Sequence, residues 1–257
     1  MKKYLRPKYL PLIVPALGLL CLLLRLWTLG GGPDAEGLYA PQPVAWTLLW
    51  AVAACAAGLI FWLCLPLSHP GSYRQNFPAS IPGAAGVAAG ALAILISSVG
   101  MFTAANGALG TVTGILGILS AASLVTAAIA RYQGKRPSFL PHAAVCLFFA
   151  LRIFLCCKQW SNEPQLGTFL LPFLASISVM LATYQQAAFD VDLGKRRSSL
   201  FWSLMSVFFC IAALPACDEA LFYILLAVWL ITNLCSLRRL KPKAPETPAE
   251  PEQQADL

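Results

Sequence analysis

The sequence predicts an all-α fold, a polytopic membrane helical bundle of eight transmembrane helices. Three observations lead there. Of the 257 residues, 58% are hydrophobic and only 11% charged, against roughly 25% charged in an ordinary soluble domain, and the mean hydropathy is +0.70. The apolar residues come in long blocks and not in amphipathic stripes, so lipid is the solvent for most of the chain. The basic residues sit in short runs between those blocks, which is the pattern of cytoplasmic loops. A net charge of +7 with a pI near 9.0 therefore points to membrane topology and away from nucleic acid.

The first predicted span runs from Tyr9 to Leu29, after Lys2, Lys3, Arg6 and Lys8. The apolar run is too long for a signal peptide and lacks a clear small-residue cleavage site, so it reads as a retained helix. Gly30-Gly31-Gly32-Pro33 ends it, because neither residue type favours helix continuation. The second span, Val44 to Leu67, carries Trp46, Trp50 and Trp62, some of them expected as interfacial anchors. A loop from Ser68 to Ser80 leads to the third span, Ile81 to Phe102, and the fourth, Ala108 to Ala130. Gly86 and Gly90 make a GxxxG, and Gly110, Gly114 and Gly117 recur at helical spacing. The connection between these two spans is short, so the glycines predict a tight antiparallel pair in which backbones approach closely. The fifth span is Ser138 to Lys158 and the sixth Leu166 to Phe189, with Pro172 near its start. In the sixth, Ser176, Ser178, Thr183, Tyr184, Gln185 and Gln186 suit interhelical hydrogen bonds. The seventh span is Ser198 to Leu214, and the eighth starts at Asp218 and Glu219 and ends near Leu237. The tail 241–257 is rich in Pro, Ala, Glu and Gln with no apolar face, a composition that predicts disorder.

With the N-terminus inside, every loop basic residue except Lys158 falls on the cytoplasmic side, and only Arg25 and Arg152 lie within spans. The bias predicts that both termini are cytoplasmic. A tandem duplication is also legible. Arg6-Pro7-Lys8-Tyr9-Leu10-Pro11 opens the first span and Arg136-Pro137-Ser138-Phe139-Leu140-Pro141 the fifth, and each is followed by an arginine near the far end of its span. The expected organisation is one four-helix half at 1–131, a second at 132–240 and the tail, with the halves related as in transporters built from parallel repeats. Chance matching between apolar strings is the competing reading.

Arg25 and Arg152 are the candidate site residues. Each lies about 13–15 residues into its helix, roughly 20–22 Å into a core roughly 30 Å thick. Three readings stand open. The stems could lie in lipid with the guanidinium at the outer headgroups. The arginines could pair with an acid predicted on the outer side: Asp34, Glu36, Glu163, Asp218 or Glu219. Or they could line an outward cleft and hold a phosphate or carboxylate by forked hydrogen bonds. Asp218 and Glu219 have a further role open to them, capping the last helix.

Catalytic signatures are missing. There is no HExxH, GxSxG or Walker A sequence. The two histidines, His69 and His142, are far apart and have no acid beside them in sequence, which predicts no metal site. The carboxylates all fall in loops, the tail or helix ends, unlike those of most ion-coupled pumps. The nine cysteines include no CxxC pair, and a disulfide framework is not expected. No cofactor is implied.

The stretch Leu151-Arg152 through Trp160-Ser161, with Pro164, Met180-Leu181-Ala182-Thr183-Tyr184, Ala187-Ala188-Phe189 and Gly194-Lys195-Arg196-Arg197, resembles a family of small polytopic bacterial membrane proteins. The resemblance implies a bacterial inner membrane and carries no activity. Lysoplasmalogenase-type enzymes share the span count, but their acidic catalytic residues have no match here. The expected function is a non-enzymatic membrane protein that binds or passes a lipid or small amphiphile from the outer side. A structural or regulatory subunit with a membrane protein partner is the alternative, and a membrane-embedded enzyme the second alternative. The expected partners are the lipid bilayer and such a subunit partner, not nucleic acid.

Overall fold

The computed structural model describes residues 10–30, 43–65, 72–103, 107–160, 166–215 and 219–237. The described residues form helices and short connections: α1 (Leu10–Leu29), α2 (Pro43–Cys64), α3 (Tyr73–Asn76), α4 (Ile81–Thr103), α5 (Gly107–Tyr132), α6 (Leu140–Trp160), α7 (Leu166–Asp190), α8 (Arg196–Ala213) and α9 (Ala220–Ser236). The fold is an all-α bundle. Five helices, α2 and α4 to α7, are long and apolar enough to cross a membrane, while α1 and α9 are apolar but shorter over their described lengths. The predicted spans fall on α1, α2 and α4 to α9. The tail 241–257, Asp34, Glu36, Glu163 and Asp218 lie outside the described residues.

The loop expected between the second and third spans contains α3, a helix of four residues. It is too short and polar to leave a periodic signal. Tyr73 and Phe77 at its two ends are buried and pack with Phe189, the last aromatic residue of α7.

Helices α4 to α9 each pack on the next, and α9 returns to α4, so these six close a ring; the α1–α2 pair packs on α8, with α1 also touching α9. Large rings fill the interior, among them Phe148 and Phe149 of α6, Phe208 of α8, and Phe222, Tyr223 and Trp229 of α9. Leu23, Trp62, Val112, Leu119 and Phe154 point outward, as expected of helices whose outer solvent is hydrocarbon.

The glycines act differently from the expectation. Gly86 and Gly90 of α4 face α9 and not the hairpin partner α5: a Cβ at Gly86 would collide with Thr232, and one at Gly90 with the Trp229 ring. The α4–α5 contact uses the glycines of α5 instead. Gly114 lies against Phe102, and Gly117 against Ser98 of α4 and Phe148 of α6. Helix α4 therefore makes a close approach on two faces, one with its own glycines and one with those of its neighbour. Where lipid and protein are equally apolar, such close packing carries much of the association.

The hydroxyls of α7 also depart from the expectation. Ser176, Ser178 and Thr183 donate to the carbonyls of Pro172, Ala175 and Val179 on their own helix. A hydroxyl three or four residues along a helix reaches a carbonyl without any partner helix. Hydrogen bonds that do cross to α7 include those from Tyr223 Oη to the Pro172 carbonyl at 3.3 Å and from Cys146 Sγ to the Met180 carbonyl at 3.7 Å.

Candidate functional site

Three places gather polar side chains. The first surrounds Arg152 on α6. This arginine is 4% exposed. Its Nη1 donates to Ser97 Oγ of α4 at 2.5 Å, its Nη2 is ion-paired with Glu219 at the start of α9, and its guanidinium lies over the Phe222 ring at 4.4 Å. The buried charge thus has a hydrogen bond, a carboxylate and a ring face, which a charge removed from water requires. Glu219 occupies the N-cap position of α9 but makes no side-chain capping bond, because its carboxylate turns to Arg152. Of the three readings open for this arginine, the structure shows the ion pair. Arg25 on α1 is also 4% exposed. The two arginines stand on helices with different principal neighbours, α1 on α2 and α8, and α6 on α5 and α7.

The second place lies at the opposite, basic end of the bundle, where α5 ends, α6 begins and α7 and α9 end. Arg131, the penultimate residue of α5, is 6% exposed. Its Nη2 donates to Ser236 Oγ at 2.5 Å, its charge acts on the nearby Tyr73 phenol, and it lies over the Phe77 ring at 4.2 Å. Burial pushes the Tyr73 phenol above its ordinary value, with the Arg131 charge pulling the other way. Beside it, His142 Nδ1 meets Asp190 Oδ2 at 2.5 Å, both side chains buried. The sequence placed no acid near His142, because Asp190 is 48 positions away and comes alongside only through the antiparallel pairing of α6 with α7. Arg136 donates to the Asp190 carbonyl and pairs with Asp192 at 2.7 Å, whose other oxygen accepts the Tyr73 backbone N–H at 2.8 Å. Arg196 Nη1 donates to Asn76 Oδ1 at 2.9 Å. The short helix α3 is therefore tied to both α7 and α8. A cavity of about 10 Å³ lies among Arg131, His142, Gln186, Asp190 and Asn233, space for one water molecule and too small for a substrate.

The third place is a cleft of about 490 Å³ between the end of α2 and the start of α8. Lys195, Arg196, Arg197 and Ser198 line one part, and Phe61, Cys64, Phe201 and Trp202 the other. Arg197 lies over the Phe61 ring at 5.1 Å, Phe61 meets Phe201 edge-to-face at 5.9 Å, and Phe201 meets Trp202 at 5.0 Å. Among the described residues no acid lines it, and α8 has none in its first turn. Sequence reasoning read Lys195, Arg196 and Arg197 as topology signals and as part of a family resemblance, not as a site. The signal that could have found the cleft is the aromatic pair Phe201-Trp202 one to two helical turns after the basic run.

Among the described residues, no three His, Cys, Asp or Glu side chains converge as a metal site would require, and eight cysteines are free thiols. Compared with known proteins, the chain matches no family model, no curated protein and no solved structure.

Proposed function

We propose that this is a non-enzymatic, eight-span protein of a bacterial inner membrane, with both termini cytoplasmic, that takes an amphiphile from the bilayer into the cleft between α2 and α8. The cleft is the observation that carries this reading. Its volume of about 490 Å³ lies in the usual range of small-molecule sites, roughly 300–1,000 Å³, and its wall joins the cations Lys195, Arg196 and Arg197 to the rings of Phe61, Phe201 and Trp202, which suits a ligand with a charged head and an apolar body. The basic run from Lys195 to Arg197 supports a place on the cytoplasmic side, by the rule of basic inner loops. An outward site built on Arg152 is less favoured, because Glu219 already meets that guanidinium. Vesicles containing a phospholipid with a photoactivatable acyl chain test the proposal. Crosslinks mapped by peptide mass spectrometry should concentrate on Phe61, Phe201 and Trp202 over Val112, Ile115 and Leu119, which face outward from α5. Even labelling of both sets sinks it.

A further inference from the structure

We infer that the occupant of the α2–α8 cleft is an anionic phospholipid of the inner leaflet, its phosphate held by Lys195 and Arg197 and its acyl chain laid over Phe61, Phe201 and Trp202. The inference rests on the amphiphile reading above and names its ligand class.

The first argument is charge. Three consecutive cations border the cleft, and among the described residues no carboxylate lines it. They also stand at the N-terminus of α8, where the helix dipole is already positive and where acids, not bases, stabilise a helix. Neither the N-cap residue Lys195 nor a first-turn acid offsets that field within the chain. Away from the cleft, Arg131 has Ser236 and Arg136 has Asp192; of the three cleft cations, Arg196 has Asn76 and Arg197 lies over the Phe61 ring. The cleft is where the positive potential meets open space, and a phosphate is the complementary group.

The second argument is the order of chemistry along α8. Lys195 precedes the helix, while Phe201 and Trp202 lie six and seven residues further on, roughly 9–10 Å deeper at 1.5 Å per residue. Phe61 supplies the facing wall from α2, with Cys64 nearer the helix end. A cationic rim followed by an aromatic floor matches a phospholipid entering from the interface, head at the rim and chain inward. A soluble anion would use the rim and leave the floor bare. A nucleic acid would need a basic surface outside the bilayer, whereas this floor continues into apolar helix.

The test compares two diazirine-acyl probes of identical chain, a phosphatidylglycerol and a phosphatidylcholine, in vesicles holding the full chain. Each cation near an anionic surface gives about a five-fold preference (~1 kcal/mol). The wild type should therefore label Phe201 and Trp202 more with the phosphatidylglycerol probe, and Lys195→Gln/Arg197→Gln should cut that preference by about 25-fold. Arg196 is left in place because it secures Asn76. A second variant, Phe201→Ala/Trp202→Ala, should lower labelling at Phe61 by both probes without restoring equality between them. Equal labelling by both probes at the cleft overturns the anionic ligand while leaving the amphiphile reading standing. Labelling by neither removes both. Loss of the phosphatidylglycerol signal on adding inorganic phosphate at matched ionic strength overturns the lipid in favour of a soluble anion.

Discussion

Arg152 and Arg131 are two buried arginines solved in different ways. Each lies over a phenylalanine ring, Phe222 or Phe77, at 4.4 and 4.2 Å, and each donates to a serine hydroxyl at 2.5 Å, Ser97 or Ser236. They differ in their counter-charge. Arg152 has Glu219 in direct contact. Arg131 has a neutral phenol in contact, and the nearby carboxylate, Asp190, is itself engaged by His142. The first site concentrates its electrostatics in one pair, and the second spreads it over a network spanning α3, α5, α6, α7 and α9. A concentrated site should fail when one partner is removed, and a distributed one should lose stability in smaller steps.

The largest expected effect follows from that difference. Glu219→Ala leaves the Arg152 charge buried without its carboxylate and should cost about 3 kcal/mol, the low end for breaking a buried pair, because Glu219 itself is 39% exposed. Adding Arg152→Leu should recover most of the loss in detergent unfolding; if the double variant is as unstable as the single one, the pair is not what holds this end together. Next, Gly86→Ala should prise α4 from α9 at Thr232 and cost about 2 kcal/mol through overpacking. Gly58→Ala, where a Cβ meets nothing within 4 Å, should be neutral or stabilise by up to about 1 kcal/mol, and matching losses in the two would contradict the packing.

At the distributed site, Tyr73→Phe removes a buried phenol dipole beside the Arg131 charge and should cost about 1 kcal/mol. The effect has a pH signature. The folded-state pKa of Tyr73 is raised above the ordinary 10.0, so its contribution is whole below pH 10 and fades as pH climbs toward the folded value. Wild type and Tyr73→Phe should therefore converge in stability above pH 10, while the Glu219→Ala deficit stays constant there. The smallest effect belongs to the Arg136–Asp192 pair, whose side chains are 42% and 43% exposed. Arg136→Gln should cost less than about 1 kcal/mol and vanish in high salt.

What could be read in advance follows the same division. An arginine inside an apolar run is conspicuous, so Arg152 was visible from hydropathy, whereas Glu219 was one of five acids on the predicted outer side, which hydropathy does not rank. Arg131, His142 and Asp190 looked like ordinary span-end residues, because burial at a helix end depends on what packs over it. Here that cover is α3, whose four residues carry no periodic signal. The glycine spacing on α4 revealed a close approach but not its partner, since a GxxxG says how near a helix can come and not which one. The α2–α8 cleft was hidden because it joins residues more than a hundred positions apart.

The seat that Gly86 and Gly90 provide for Thr232 and Trp229 bears on how the chain is made. Helix α4 emerges from the ribosome long before α9, so its recess stays without Thr232 and Trp229 until the later helix arrives. Closure of the ring is thus a late event in biosynthesis. A chain halted between α8 and α9 would present an open recess on α4 and an Arg152 still lacking its carboxylate, two defects by which the cell's membrane proteases could tell an unfinished copy from a completed one.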